Sequence, residues 1–578
     1  MQQLFARVYL VVLAGVLLTA CTSPASSPNS GTVRIRWARD PENLDPLIVS
    51  NASAYEVANL THCSLLMGRE SVHDFVPWLA EEFPTVQRPN DSLLLVTYRI
   101  RPEATWDNGS PVLAHDVALT LKVMNCPGLP IEKDQAVYGF IRDIQLDSAD
   151  ARRFTLVCQG QSPEHIRTSG DFSILPEYIL DPKKQLRAVP LPAMLRAPIL
   201  PAVQALAQRY QALQVARHPE NVPGCGPYTV TAWQSNRYLT LSRKKRWWAD
   251  ALAPAPAQLQ AYPTKLVYQV IPDAATATLA LRRGDVDVFA LMPAAEFARL
   301  QQSAEDQKRL NFYTADSYEF ATASFNVQQP MFRDAATRRA LGLLFDVPAL
   351  IKATQQGGAL PSAGLISPRI KPYYNDSLPL PTFAPKQAVT LLQQAGWQRG
   401  ATGQWTRPSK TGAAELLRFG ISYRAGEPTF ETIALQFRAA AEKIGIVVEL
   451  RPTEQSVLSR QLREGTAEMS IRNFSGNPFS YDFTSLLHSR GIGADNTTRF
   501  STPLTDRLIE QITSTEDATR KTRLLRKFQR VMAQEVPFKV LYFLQYRIAA
   551  ARSIGQVPVS GLKPGYEAAR IRPVQTAQ

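Results

Sequence analysis

Apolar and polar positions alternate through Val33-Arg34-Ile35-Arg36-Trp37, which predicts a half-buried strand, and the turn-dense run Asp40-Pro41-Glu42-Asn43-Leu44-Asp45-Pro46 ends it ahead of a helix near Ala54. Another strand is predicted over 93–100. After the turn at Asp107-Asn108-Gly109-Ser110-Pro111, residues 115–124 place Val117, Leu121 and Met124 on one helical face. From 181 to 221 the pattern weakens into a Pro- and Ala-rich segment with one helix near 203–215, read as a surface elaboration. Strand alternation returns over 228–241. Residues 274–283 are helical with Gly284 as their stop, and 285–291 is again a strand.

The second half repeats this alternation. Pro385 opens a helix with Ala388, Leu391, Leu392 and Ala395 on one face, and Gly396 ends it. Ile433, Phe437, Ala440 and Ile444 form another stripe, Gly445 stops it, and Ile446-Val447-Val448-Glu449-Leu450 is a strand. Between Glu468 and Asp482 a short strand carrying Met469 and Ile471 runs into Ser475-Gly476-Asn477-Pro478, with Phe474, Phe479 and Tyr481 inside the turn chemistry. A late helix over 524–533 precedes an aromatic strand over 538–548. Strands alternating with helices argue for a mixed α/β fold.

Composition adds scale and compartment. With 578 residues, 45% of them hydrophobic, the chain buries a large core and is long enough for several domain-sized units. Arg7, an apolar run over 8–18 and then Leu18-Thr19-Ala20-Cys21 read as an export signal over 1–20, because the run is too short to span a bilayer. Residues 21–31, rich in Ser, Pro and Asn, read as a tether. The net charge is +14, but the cations are scattered, and an exported chain seldom meets nucleic acid, so no nucleic-acid partner is expected. The densest cluster, Arg243-Lys244-Lys245-Arg246 before Trp247-Trp248, reads as a solvated strand end.

Besides Cys21 there are Cys63, Cys126, Cys158 and Cys225, an even number that permits disulfides in an oxidising compartment. Cys126 with Cys158 is the favoured pairing, since a helix end and a following strand lie close. The cysteines lack zinc-like spacing and the six histidines form no close pair, so the sequence supports neither a metal site nor a cofactor.

Leu18-Thr19-Ala20-Cys21 resembles the lipobox of bacterial lipoproteins, which implies cleavage before Cys21, lipid on that cysteine and anchoring to a membrane outside the cytoplasm. Five blocks in order resemble the peptide/nickel-type extracellular solute-binding proteins of ABC importers, family 5. The first is the strand, turn and helix around Trp106, Gly109, Pro111 and Asp116-Val117, where Asn108 follows Asp107 before Gly109 and Leu113 stands where a Thr usually caps the helix. The others are Gly224-Cys225-Gly226-Pro227-Tyr228, with Cys225 for Thr; Leu279 to Asp287 around Gly284; Phe325-Asn326 through Arg338-Arg339-Ala340-Leu341 to Phe345-Asp346; and Ala395-Gly396-Trp397 with Ile444-Gly445-Ile446. Most of these residues read as architecture: the glycines for tight approach, Trp106 and Trp397 for the core, and Arg339 for an internal pair.

The resemblance implies a two-lobed periplasmic-binding-protein-like fold of class II, with mixed sheets flanked by helices. Lobe I is expected over 32–314 with an extra subdomain at about 64–175, lobe II over 315–539, and a return to lobe I over 540–578. It implies a monomeric receptor, not an enzyme, that closes on a peptide or peptide-like solute and delivers it to ABC permease subunits in the membrane. On the first lobe it places Ser50, Asn51 and Ala52 at the ligand, with Tyr138 as a lid aromatic. On the second it places Asn473, Phe474, Ser475, Asn477, Tyr481 and Asp482. Peptide-binding relatives carry an Asp for the α-ammonium where this chain has Asn477, which cannot supply the charge; Asp482 is a candidate substitute or else a turn residue.

Three readings stay open beside it: the same fold around an oligosaccharide or metal chelate, an exported hydrolase, and an interaction lipoprotein. Ser242-Arg243-Lys244-Lys245, Lys410-Thr411-Gly412 and Ser475-Gly476-Asn477 match single elements of the penicillin-binding-protein set, but in the wrong order.

Overall fold

The computed structural model describes residues 31–49, 51–130, 132–401, 403–408 and 414–574. The export signal, Cys21, most of the tether, Ser50 and Lys410-Thr411-Gly412 lie outside the described residues.

One eleven-stranded sheet runs through both lobes. At its first-lobe end, Thr32–Trp37 buries Val33, Ile35 and Trp37 and pairs in parallel with Lys265–Val270. Tyr238–Arg243 and Tyr228–Gln234 complete that edge. The sheet crosses to the second lobe through the long antiparallel strands Leu310–Phe325 and Phe538–Ala551, whose pairing is interrupted between Asp316 and Phe320. Met469–Ser475, Arg418–Arg424 and Val447–Thr453 follow in spatial order. A separate four-stranded antiparallel sheet is built from residues between Thr85 and Gln159.

The cores divide at the crossing. One large cluster joins Val33–Ala290 residues with Ile548–Ile571 residues, while two others gather around Phe325–Tyr542 and around Tyr318–Phe543. Val540, Leu541, Tyr542 and Phe543 pack with the second-lobe clusters. Helix ends follow the local chemistry: the Asp273 side chain accepts from Thr276 N at 2.7 Å to start Ala274–Arg283, and Gly284 ends it at φ +79°.

Several expectations need correction. The 181–221 segment is not a surface elaboration: Leu186, Leu191, Met194, Val203, Leu206 and Tyr210 are buried in the first-lobe core. Helix Pro201–Leu213 spaces Val203, Leu206 and Tyr210 on one face, a period that the surrounding prolines obscure. The strand expected over 285–291 shrinks to Val288–Phe289. Arg243 and Lys244 are not a solvated strand end, because Arg243 pairs with Asp250 at 2.5 Å and Lys244 with Asp107. The favoured Cys126–Cys158 pair is not formed: all four described cysteines are free, and the Cys126 thiol donates to Val203 O at 3.6 Å.

The first motif block is a buried hydrogen-bond device. The Asp116 carboxylate accepts from Leu113 N at 2.8 Å, from Trp106 Nε1 at 3.3 Å and from Glu177 N at 2.8 Å, so helix Ala114–Val123 starts without help from the Leu113 side chain. Burial outweighs these donors and pushes the Asp116 carboxyl up to about 6. A free aspartate titrates near 4. The raised value therefore contributes stability that is complete below about pH 4 and is lost as the pH rises to about 6. Asp116→Asn is expected to remove that loss. Urea unfolding at pH 4 and 6 should show wild type falling relative to the variant by on the order of 2 kcal/mol; parallel changes in the two proteins would contradict the assignment.

Candidate functional site

The wall strand Met469–Ser475 pairs with Leu310–Phe325, Phe474 opposite Phe320 and Ser475 opposite Glu319. Beyond it the chain turns as its polar side chains dictate. Gly476 N donates to Tyr318 O at 2.8 Å, and Asn477 Oδ1 accepts from Phe479 N at 2.8 Å, an Asx turn that engages the amide locally. Asp482 likewise accepts from Thr484 N at 2.8 Å, ahead of the short helix Thr484–Leu487. Phe474 stacks at 5.9 Å on Phe320 and is covered by the Arg472 guanidinium at 4.0 Å, while Tyr481 packs edge-on to Tyr373 at 4.9 Å.

Phe474, Ser475, Asn477, Tyr481 and Asp482 border a cavity of about 260 Å³ within the second lobe. Asn473 borders a different one, of about 700 Å³, with Glu319, Arg424, Arg472 and Asp495. On the first lobe Asn51 and Ala52 line a cavity of about 530 Å³ together with Glu56, Trp78 and Gln258. Asn51 caps helix Ala52–Thr61 by accepting from Ala54 N at 3.0 Å, and it donates to Asp40 O at 3.1 Å. Tyr138 lies apart from both, on a cavity of about 270 Å³, donating to Asp171 O at 2.8 Å with its ring edge-on to Phe172. The expected residues thus fall on four neighbouring volumes. Lys563 borders both the 530 Å³ and the 700 Å³ cavity, so these two adjoin at this residue.

At this junction sits a carboxylate that the sequence reading missed. Glu319 is the one partly exposed residue between Ser317 and Phe325 on an otherwise buried strand segment. It accepts from Asn473 Nδ2 at 3.2 Å and from the Tyr546 hydroxyl at 3.3 Å, and Lys563 Nζ reaches it at 3.3 Å from the C-terminal return. Two polar atoms on the wall strand, Asn473 Oδ1 and Arg472 Nε, are buried without a hydrogen-bond partner. Burial also lowers the Arg472 guanidinium to about 10.

The first-lobe cavity has a buried acid of its own. Glu56 accepts from Trp37 Nε1 at 3.0 Å, Tyr268 at 2.9 Å and Tyr566 at 2.7 Å, and burial raises its carboxyl above the usual range despite these donors.

The lobes are closed on one another. Arg369 bridges to Glu70 at 2.9 Å, Lys521 to Glu164 at 3.0 Å, and Ser162 donates to Thr513 O at 3.1 Å. Phe479, in the turn after the wall strand, lies edge-on to Phe75 at 5.3 Å and against Gly68, joining the turn to the paired strands Leu66–Arg69 and Asp74–Pro77. Its role is packing between lobes, a contact that local spacing could not reveal.

Residues 74–494 match the family described as bacterial extracellular solute-binding proteins, family 5 Middle. The chain is 24% identical over 361 residues to the nickel-binding periplasmic protein of Escherichia coli K12, a match spanning 61% of this chain and 65% of that protein. It is 21% identical over 550 residues to the dipeptide-binding protein of the same organism, spanning 91% and 92%. The oligopeptide-binding protein AppA from Bacillus subtilis, solved with a nonapeptide, shares the fold with a TM-score of 0.72 at 18% identity, over 95% of this chain and 99% of that one. With a mixed α/β fold and a family match over most of its length, this chain belongs to the bacterial extracellular solute-binding proteins, family 5.

Proposed function

We propose that the protein is the receptor of an ABC importer that binds a peptide or peptide-like solute between its lobes, without chemical change, and presents the closed form to membrane permease subunits. The observation that carries the ligand class is Glu319, a carboxylate held by Asn473 and Tyr546 on the wall strand's neighbour and facing a polar cavity. It offers the charge that Asn477 lacks, so the solute's ammonium group exchanges with Lys563 on Glu319. Asn51 and Ala52 line the opposite side of the ligand, and Tyr138 and the 474–482 loop border the neighbouring volumes. Lipid on Cys21 holds the receptor, as a monomer, at a membrane outside the cytoplasm.

A second reading, a chelate as solute, draws support from the nickel-binding relative and from the mixed charge of the cavity that Arg424 and Asp495 share. Equilibrating the protein with equal amounts of short peptides carrying free and N-acetylated amino ends, then recovering the bound fraction, separates the readings. Retention of intact free-amine peptides is expected. Retention of neither set, or recovery of cleaved products, would refute the proposal.

A further inference from the structure

Cys63 and Cys225 lie far apart in sequence and meet inside the first-lobe core, both essentially inaccessible to water. Cys63 follows helix Ala52–Thr61, whose Asn51, Ala52 and Glu56 border the larger first-lobe cavity. Cys225 is the centre of the Gly224-Cys225-Gly226-Pro227-Tyr228 turn, and Pro227 borders the same cavity. The two backbones touch. Gly226 N donates to Thr61 O at 2.9 Å, a Cβ on Gly226 would stand 2.6 Å from the Thr61 carbonyl carbon, and one on Gly224 would stand 2.8 Å from His62 Cα. Only glycine permits this approach on both sides of Cys225.

Each cysteine is held by its own backbone contacts. The indoles of Trp247 and Trp248 donate to Cys225 O at 3.0 and 2.9 Å, and Ile174 N donates to Cys63 O at 2.9 Å. Through the Gly226–Thr61 and Gly224–His62 approaches, the Cys225 turn lies directly against the segment that carries Cys63. Cys126 turns its thiol to Val203 O instead, and Cys158 sits within a strand of the four-stranded sheet.

We propose that Cys63 and Cys225 are a disulfide site, oxidised as the exported chain folds, which ties the cavity-lining helix to the Gly-Cys-Gly-Pro turn. The oxidant is a disulfide-bearing donor, a thiol–disulfide exchange protein or oxidised glutathione. One cysteine thiolate attacks the donor disulfide and expels a donor thiol; the second then attacks the mixed disulfide and expels the other. One S–S bond forms in the protein and one breaks in the donor, which leaves with two electrons and two protons. Burial, followed by the Cys225 thiol, pushes the Cys63 thiol well above its ordinary range, so the thiolate is available before the core closes and scarce afterwards. This explains why Cys replaces the hydroxyl residue that the family's turn resemblance leads one to expect.

The test maps the thiols of the full chain after refolding with a mixture of oxidised and reduced glutathione. The denatured protein is alkylated without reductant, digested and analysed by mass spectrometry. The expected result is alkylated Cys126 and Cys158, with the Cys63 and Cys225 peptides linked and about two daltons lighter than the dithiol pair. Reduction should restore alkylation at both. Cys225→Ser should leave Cys63 open to alkylation with no linked peptide, and the reciprocal variant should free Cys225. Alkylation of Cys63 and Cys225 in oxidatively refolded wild type, or linkage of either to Cys126 or Cys158, would overturn the proposal whether or not the variants fold.

Discussion

Replacing Arg338 by methionine is expected to destabilise the second lobe by about 3–5 kcal/mol. The guanidinium is 2% exposed and donates to Phe332 O at 2.6 Å, Arg333 O at 2.9 Å and Glu535 O at 2.8 Å, with Glu535 Oε2 at 3.3 Å. It thereby ties the start of helix Ala335–Gly342 to the end of helix Ala518–Glu535. Methionine fills much of the volume but leaves three backbone acceptors without donors in a dry site, each costing about 1–3 kcal/mol. Arg339 next to it donates to Gln534 O at 2.7 Å from a more exposed position, so Arg339→Met should cost within about 1 kcal/mol. Equilibrium urea unfolding of the two variants measures the contrast. Similar losses in both would mean that the buried network contributes little.

Glu319→Gln is the second large effect, on binding instead of folding. Removing the charge from a hydrogen bond to an ammonium forfeits about 1.5–3 kcal/mol, or about 10- to 100-fold in affinity. The loss should be confined to peptides with free amino ends, while N-acetylated forms, already weak, change little. Lys563→Met should act in the opposite direction, because Lys563 Nζ at 3.3 Å competes for the same carboxylate. Isothermal titration of the two variants with one free-amine peptide that wild type retains decides the matter. Unchanged affinity in Glu319→Gln would remove this residue from the ammonium site.

Much of the architecture was written locally. Helices Ala274–Arg283 and Pro385–Gln394 were legible because Gly284, Pro385 and Gly396 carry start and stop chemistry that works over one turn. The 181–221 segment was misread for the complementary reason: prolines fragment it into short helical pieces, and its burial depends on a distant partner, the Asp45 carboxylate that accepts from Tyr210 at 2.8 Å.

The candidate site was legible only on one side. Phe474 and its turn announced themselves by composition, yet Asn477 and Asp482 satisfy backbone donors of their own turn. Glu319 and Lys563 come together across 244 positions, and only the crossing strands bring them within reach. One local signal existed: an acidic residue between Tyr318 and Phe320 in the stretch from Ser317 to Phe325, which is otherwise aromatic, apolar or small. The Cys63–Cys225 contact was hidden in the same way, since its geometry depends on two glycines meeting the end of a helix more than a hundred and fifty residues earlier.

The central claim, that the cleft between the lobes receives a peptide-like solute through Glu319, is tested most directly by what the protein carries. The exported protein is purified without denaturant, then unfolded, and the released small molecules are identified by mass spectrometry. Short peptides or peptide-like molecules with free amino ends and varied side chains are the predicted result, with their yield sharply reduced from Glu319→Gln. Release of only sugars or metal chelates without an amino group would contradict it.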